Sequence, residues 1–155
     1  MSVLMDKISI VENIPSEKKD IVMIDEVNGL MPGASVVTTT YIQKKDALVE
    51  IDAEDKTTNE KEIKEVFPEY NIVEIVLQST IMCITALREF KEKNCYLVEI
   101  NHAKFKSPIM YGDKLVTEVK ISKIRGNIVI CKAFCKVEKN KVFLGEMVLT
   151  VSDNY

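Results

Sequence analysis

Residues 66–78 read Val66-Phe67-Pro68-Glu69-Tyr70-Asn71-Ile72-Val73-Glu74-Ile75-Val76-Leu77-Gln78, and the apolar pattern that begins there continues to Phe90. Apolar residues between positions 72 and 90 cover most of a helical circumference, which predicts a helix buried on nearly all sides. One carboxylate, Glu74, enters this apolar helix near its start. Because an unpaired buried charge is strongly destabilising, Glu74 is expected to be either hydrogen-bonded at the helix start or kept for chemistry.

Two interpretations of Glu74 follow from its position. Asn71 is a favourable N-cap residue, and Glu74 lies three positions later, which is the spacing of a capping box. The same helix start would also favour a functional carboxylate through the helix dipole. Gln78 lies one turn after Glu74, where it could hydrogen-bond the carboxylate and orient it. Alternatively, Gln78 is a polar residue that is satisfied inside a dimer.

The segments around the helix alternate between apolar and polar residues as strands do. Residues 21–27 predict a strand that ends in a turn at Asn28-Gly29, and residues 34–42 predict the next strand, after Pro32-Gly33. Residues 47–51 predict a short third strand, and the charged segment 52–65 predicts a solvated loop. Four further strands are predicted at 95–105, 114–125, 127–137 and 141–151, with turns at Tyr111-Gly112-Asp113, Gly126-Asn127 and Lys139-Asn140.

These elements predict an α+β fold in which a curved antiparallel sheet wraps one long central helix. The last three strands are expected to form a meander. A single sheet of this kind leaves edge strands exposed, so pairing of two such sheets in a dimer is expected. The length of 155 residues fits one domain that spans positions 1–155.

The composition is that of a globular protein. A net charge of −3 without a long basic run argues against general nucleic-acid binding. The cysteines are expected to be reduced core thiols, and neither a second cysteine pair nor a histidine cluster completes a metal site. Residues 1–10 lack the pattern of a signal peptide, and polar residues interrupt the apolar helix too often for a membrane span. We therefore expect a cytoplasmic protein without a metal or another cofactor.

Three motifs follow one another along the chain. They are Ile14-Pro15 before the strand at 21–27, Phe67-Pro68 before Glu74-Ile75-Val76-Leu77-Gln78, and Lys104-Phe105-Lys106-Ser107-Pro108-Ile109 before Tyr111-Gly112-Asp113-Lys114-Leu115. Together they resemble the hotdog-fold 3-hydroxyacyl-[acyl-carrier-protein] dehydratases. That family carries a leucine-proline turn before its first strand, then Phe-Pro before Glu-Ala-Leu-Ala-Gln, then Arg-Phe, Pro-Val and Pro-Gly-Asp-x-Leu. The resemblance implies the hotdog fold and a dimer interface where a histidine of one subunit meets a glutamate or aspartate of the other.

Two departures from the family pattern bear on the chemistry. The catalytic histidine of the family immediately precedes Phe-Pro, where this chain has Val66. The spacer between Phe-Pro and the glutamate is also shorter than in the fatty-acid enzymes. With Pro68 six residues before Glu74, it resembles the dehydratase-like hotdog proteins of aryl-polyene and related polyketide pathways. The histidine at position 102 shares a strand face with Lys104 and is expected to be an ordinary strand residue.

The resemblance implies a dehydratase, or one subunit of a dehydratase, of fatty-acid or polyketide biosynthesis. Glu74 would be the acid, Gln78 would assist it, and a different hotdog chain in a heterodimer would supply the histidine. Tyr70 or Asp25 could instead replace the lost base. The substrate would be an acyl thioester on acyl carrier protein or coenzyme A, bound by Phe67, Pro68, Tyr70, Phe105 and Lys106.

Lys104 and Lys106 beside Phe105 could meet the acidic surface or the phosphopantetheine phosphate of a carrier protein. The alternative is a non-catalytic partner that binds acyl chains or the carrier protein in a homodimer or heterodimer. An acyl thioesterase is a weaker alternative, because hotdog thioesterases use a carboxylate on the same helix to activate water.

Overall fold

The computed structural model describes residues 22–43 and 66–153, and within these ranges the chain forms one α-helix, one short 3-10 helix and eight strands. In chain order they are β1 (Glu26–Met31), β2 (Ser35–Tyr41), β3 (Val66–Phe67), α1 (Glu69–Thr85), the 3-10 helix (Arg88–Phe90), β4 (Asn94–Phe105), β5 (Ile109–Met110), β6 (Lys114–Arg125), β7 (Ile128–Val137) and β8 (Asn140–Ser152). The strand predicted at 47–51 and the loop predicted at 52–65 lie outside the described residues.

Six strands form one antiparallel sheet in the order β1-β2-β6-β7-β8-β4, and β3 pairs with β5 in a separate two-stranded ribbon. The meander predicted for the last three strands is confirmed, because β6, β7 and β8 are neighbours in that order. Helix α1 packs against β2, β6 and β4, so the apolar core lies between the helix and one face of the sheet. The α+β prediction of one helix against a curved antiparallel sheet is confirmed.

Helix α1 is buried without interruption from Glu74 to Ile84, as its apolar pattern predicts. The hydroxyl groups inside this stretch are satisfied locally. Ser79 Oγ and Thr80 Oγ1 donate to the backbone carbonyls of the preceding turn at 2.9 and 2.8 Å. Ser79 Oγ also lies 2.8 Å from Thr38 Oγ1 on β2. This buried hydrogen bond fixes how the helix lies on the sheet.

The helix ends at Thr85 rather than at position 90, because the turn between β1 and β2 docks onto its last residues. The Gly33 N–H donates to the Cys83 carbonyl at 3.0 Å, which gives this carbonyl a partner outside the helix. The Leu87 N–H instead bonds to the Ile84 carbonyl in a tighter 3-10 pattern. The Leu87 side chain then covers Gly33, and the chain continues into the short 3-10 helix.

The sequence prediction placed the first turn at Asn28-Gly29, and that prediction is wrong. Strand β1 continues through both residues to Met31, with a shift in pairing register between Val27 and Gly29. The chain absorbs the extra residue as a β-bulge, and the Asn28 Oδ1 accepts a hydrogen bond from Thr39 Oγ1 at 2.5 Å. The turn falls at Pro32-Gly33, where Gly33 has a φ of 68°.

Among the described helices, none is both long enough and apolar enough to cross a membrane.

Candidate active site

Glu74 and Gln78 form a hydrogen-bonded pair on the buried part of α1. The Gln78 Nε2 donates to the Glu74 Oε1 at 3.2 Å, and the Gln78 Oε1 accepts from the Met23 backbone N–H at 2.9 Å. Because a backbone N–H can only donate, it fixes which end of the Gln78 amide faces the carboxylate. The prediction that Gln78 contacts and orients Glu74 agrees with this geometry.

The burial of the two side chains differs in a way that matters for chemistry. Gln78 is fully enclosed, whereas 7% of Glu74 remains exposed. Glu74 therefore lies at the margin of the core, held by a neighbour that is itself immobilised. A carboxylate held in this way can exchange a proton with a ligand that reaches the margin of the core.

The capping-box interpretation of Glu74 is wrong. The N-cap of α1 is Pro68, and Asn71 lies inside the first turn, where it is fully buried and its N–H bonds to the Pro68 carbonyl at 3.0 Å. Pro68 occupies the cap position with extended backbone and without a side-chain cap hydrogen bond, and its carbonyl accepts an N–H of the first turn. Glu74 lies more than one turn from the cap, so capping does not account for its burial.

The ribbon of β3 and β5 positions the start of the helix. Val66 pairs with Met110 and Phe67 pairs with Ile109. Phe67 is buried, and its ring packs edge-on against Tyr111 with 6.1 Å between ring centroids. Val66, at the position where the resembled family carries histidine, is half-buried and offers no group that can carry a proton.

The turn after β5 is fixed as the sequence predicts. The Asp113 carboxylate accepts the Met110 N–H at 2.8 Å, and the Gly112 N–H donates to the Ile42 carbonyl at 2.8 Å. These bonds connect the turn to the end of β2 and to the strand that pairs with Phe67. The turn at 111–115 therefore stabilises the β3–β5 ribbon that precedes α1.

The two residues considered as replacements for the base lie in different settings. Tyr70 is 64% exposed on the first turn of α1. Asp25 accepts a hydrogen bond from the Tyr41 backbone N–H at 2.7 Å, which places its carboxylate at the junction of β1 and β2. This contact gives Asp25 a structural role in joining the two strands.

The remaining predicted substrate-binding residues lie at two places. Pro68 is half-buried at the start of α1, beside Phe67. Phe105 ends β4 and contacts Phe143 at 5.0 Å between ring centroids, while Lys106 is exposed and its N–H bonds to the Val142 carbonyl at 2.8 Å. The structure therefore brings Glu74 together with Gln78, and it attaches Phe105 and Lys106 to β8.

All four cysteines are buried as reduced thiols, as predicted. Burial raises the pKa of Cys83 to about 11 and that of Cys135 to about 12, and it also raises the pKa of Cys131. Thiols of this kind are poor nucleophiles at neutral pH. Within the described residues, no cluster of three or more His, Cys, Asp or Glu side chains could hold a metal ion.

One participant, the Met23 backbone N–H, could not be predicted from the sequence. Met23 lies 55 residues before Gln78 and contributes only a main-chain donor, which any residue other than proline could provide. The residue type at position 23 therefore carries no signal for this contact.

Comparison with known proteins gives a consistent set of relatives. The chain is 30% identical to the 3-hydroxyacyl-[acyl-carrier-protein] dehydratase FabZ of Pediococcus pentosaceus, over 96% of this chain and 93% of the relative. It is also 30% identical to the FabZ of Lactobacillus helveticus, over 99% of this chain and 97% of the relative. No sequence profile of a known protein family matches the chain.

Solved structures with the same fold are more distant in sequence. The dehydratase heterocomplex ApeI:P from Xenorhabdus doucetiae superposes with a TM-score of 0.72 at 9% identity, covering 94% of this chain and 91% of the other. An uncharacterized protein from Pyrococcus horikoshii gives 0.65 at 13% identity, covering 92% and 94%. These likenesses confirm the predicted hotdog fold.

Proposed function

This chain belongs to the FabZ family of 3-hydroxyacyl-[acyl-carrier-protein] dehydratases, and we propose that it is the glutamate-bearing subunit of a heteromeric dehydratase. The substrate is a 3-hydroxyacyl thioester carried by acyl carrier protein. The observation that carries this proposal is the Glu74 carboxylate, held by the buried Gln78 amide at the margin of an apolar core.

The proposed chemistry divides the elimination of water between two groups. A base removes the proton from C2 of the acyl chain, and an acid protonates the hydroxyl that leaves C3. Glu74 is the acid, and Gln78 is a positioning residue that fixes the carboxylate through its Nε2. The N–H groups of Glu69 and Tyr70 precede the first α-helical hydrogen bond of α1, so they are suited to polarise the thioester carbonyl.

The base comes from a second hotdog protein. Val66 cannot accept a proton, and the substitution of valine for histidine removes one half of the acid–base pair from this chain. A partner that retains the histidine before Phe-Pro restores that half at a shared interface. The ApeI:P structure, described as a dehydratase heterocomplex, supports a heteromeric arrangement in this fold.

Strand β4 is the proposed contact with the partner. It ends the order of the described strands in the six-stranded sheet, and it carries the exposed apolar side chains Tyr96 and Val98. Pairing along this edge continues the sheet into the second subunit and covers these side chains. The acyl chain lies along α1, and Lys106 binds the phosphate of the carried phosphopantetheine. We further propose that the protein belongs to the aryl-polyene and polyketide branch, and the short spacer after Phe-Pro supports this assignment.

The test follows the ultraviolet absorbance of the enoyl product. The purified chain is mixed with a 3-hydroxyacyl thioester on acyl carrier protein, alone and with a histidine-bearing hotdog protein from the same genome. We expect turnover only in the mixture. Glu74→Gln should lower kcat of the complex by about 100-fold or more, which is typical of a lost general acid. Glu89→Gln is the matched control in the 3-10 helix that follows α1 and should leave kcat within about twofold, because Glu89 is exposed and has no role in the proposed site.

Three outcomes would contradict the proposal. Turnover by the chain alone would mean that it contains its own base. An unchanged rate for Glu74→Gln in the complex would remove Glu74 from the chemistry. Binding of acyl carrier protein without turnover in either mixture would favour a non-catalytic acyl-binding partner, the alternative that Val66 supports.

A further inference from the structure

A cavity lies on the face of the sheet opposite α1. On β6 and β7 the buried residues Val119, Cys131 and Cys135 face the helix, so the residues that alternate with them, Lys120 and Lys132, face outward. The outward residues of four adjacent strands line a cavity of about 520 Å³. This volume lies within the range of small-molecule sites in proteins, about 300–1,000 Å³.

The rim of this cavity carries an excess of positive charge. Lys104, Lys120 and Lys132 line it together with a single carboxylate, that of Glu146. Lys120 and Lys132 lie directly opposite each other on β6 and β7, and like charges in that position destabilise a sheet. Within the described residues, none of the three lysines lies within ion-pair distance of a carboxylate. Lys132 also lies directly opposite Glu146 on β8, which offsets part of this repulsion, whereas Lys104 and Lys120 lie opposite the uncharged residues Leu144 and Ser35. An anion between the lysines would be attracted to them.

The floor of the cavity is apolar. Phe134 on β7 lies directly opposite Leu144 on β8, and both side chains line the cavity. The Nζ atoms of Lys136 and Lys141 lie 5.1 and 4.7 Å from the centre of the Phe134 ring, which extends the positive potential along one side. The site thus combines an apolar surface with a cationic rim.

A strained segment of backbone borders the same cavity. The pairing of β4 with β8 shifts register between Asn101 and Lys104, and His102 within this bulge has a φ of 55°. Positive φ is uncommon for residues other than glycine, and bulges of this kind redirect side chains near functional sites. His102 and Lys104 both line the cavity, in agreement with the shared strand face expected from the sequence.

We propose that this cavity binds a small organic anion with a carboxylate or phosphate head on an apolar body. The head lies between Lys104, Lys120 and Lys132, and the body lies on Phe134 and Leu144. Compact ammonium groups bind either head as point charges. The site is separate from the proposed acyl site, because the sheet stands between this cavity and α1. It therefore adds a ligand to the protein beyond the proposed dehydration.

The experiment titrates the 15N-labelled full chain with octanoate, octyl phosphate and octanol while amide chemical shifts are recorded. We expect either anion to shift amides of β7 and β8 around Phe134 and Leu144, with octanol far weaker. The tighter of the two anions identifies the head group. The double variant Lys120→Glu/Lys132→Glu should weaken anion binding by about tenfold or more. Lys91→Glu/Lys139→Glu changes the net charge equally at exposed positions outside the cavity and should bind like the wild type.

Other results would overturn the proposal. Shifts centred on Glu74 and Gln78 would place the anion in the proposed acyl site. Equal binding of octanol, or equal loss of affinity in both double variants, would remove the role of the cationic rim. Binding to anionic phospholipid vesicles, but to neither monomeric anion, would assign this face to a membrane surface instead.

Discussion

Gln78 connects three parts of the molecule through one amide group. It receives a hydrogen bond from the chain that precedes β1, it gives one to Glu74, and it is buried in the helix that fills the core. A hydrophobic side chain of similar size would fill the same space and leave both partners without their contact. Gln78 therefore joins the stability of the fold to the orientation of the proposed acid.

Gln78→Leu should lower the free energy of unfolding by roughly 1–3 kcal/mol, because the Met23 N–H is then buried without an acceptor. Urea unfolding measures this loss. In the dehydratase complex, kcat should also fall while the affinity for acyl carrier protein is unchanged. Gln43→Leu makes the same replacement at an exposed position after β2 and should change stability by less than about 0.5 kcal/mol. Equal stability of the two variants would show that the Met23 contact contributes little.

The buried thiols predict a dependence of stability on pH. Burial raises the pKa of Cys83 from 9.0 to about 11 and that of Cys135 from 9.0 to about 12. The stability contributed by these neutral thiols is fully present below the unfolded value of 9.0 and is lost as the pH rises through the folded values. The free energy of unfolding, measured in urea, should therefore fall between about pH 9 and about pH 11.

Cys83→Ala/Cys135→Ala is the control for this dependence, because it removes both titrating groups. Its free energy of unfolding should fall less steeply over the same interval, even though the smaller side chains lower its stability at every pH. A slope as steep as that of the wild type would attribute the alkaline loss to other groups.

Local sequence patterns predict the existence and type of helices and strands more reliably than they predict the residues at which these elements begin and end. The dipeptide Asn28-Gly29 is a strong hairpin signal, yet β1 passes through it as a bulge because the strand must reach Met31 before it turns. Likewise, Asn71 has the better capping side chain, but the helix begins at Glu69 because β3 and Pro68 fix its first turn. In both cases a tertiary contact overrides a valid local preference, and a single sequence carries no record of that contact.

The turn that contacts the end of α1 allows a sharp test of this packing. Gly33 has a φ of 68°, and a Cβ atom there would lie 2.6 Å from the Leu87 Cδ1. Gly33→Ala should therefore lower the free energy of unfolding by two effects: backbone strain of roughly 1–2 kcal/mol and a clash that adds roughly 1–3 kcal/mol. Thermal or urea unfolding measures the sum.

Gly126→Ala separates the two effects. Gly126 has a similar φ of 61°, but a Cβ atom there would meet nothing within 4 Å. This variant should show the strain alone and lose less stability than Gly33→Ala. Equal losses would mean that Leu87 moves aside without penalty and that the turn does not need close contact with the helix.

The hotdog architecture could be predicted from the order of elements and from three short motifs, whereas the pairing of distant strands could not. Strand β4 pairs with β8 rather than with a neighbour in sequence, and the apolar alternation of both strands is compatible with several partners. The sequence also predicts Glu74 and Gln78 as candidate site residues, because polar residues stand out in an apolar helix, and the structure shows both of them buried and hydrogen-bonded to each other. It did not reveal the cavity on the outer sheet face, which forms only when residues from four strands are brought side by side.

Assembly along β4 is the step on which the proposed activity depends, since Val66 leaves the chain without a histidine at the expected place. Val98 is 58% exposed on this strand and Tyr96 is 47% exposed. Val98→Lys would place a charge where the partner strand is proposed to pack, and lysine on an edge strand opposes pairing. Light scattering measures the molar mass of each chain mixed with its histidine-bearing partner. We expect the wild-type chain to elute as a two-subunit complex and the variant to elute at its monomer mass of 17.6 kDa.

Dehydration should be lost together with assembly in this variant, because Glu74 and the partner's base no longer meet. Ile128→Lys provides the matched control: Ile128 is a similarly exposed apolar residue, 37% accessible, but it begins the interior strand β7. It should keep both assembly and activity. If Val98→Lys stayed assembled and active, β4 would not be the interface. If it became monomeric and still catalysed dehydration, one chain alone would hold a complete site, and the requirement for a second histidine-bearing subunit would fall.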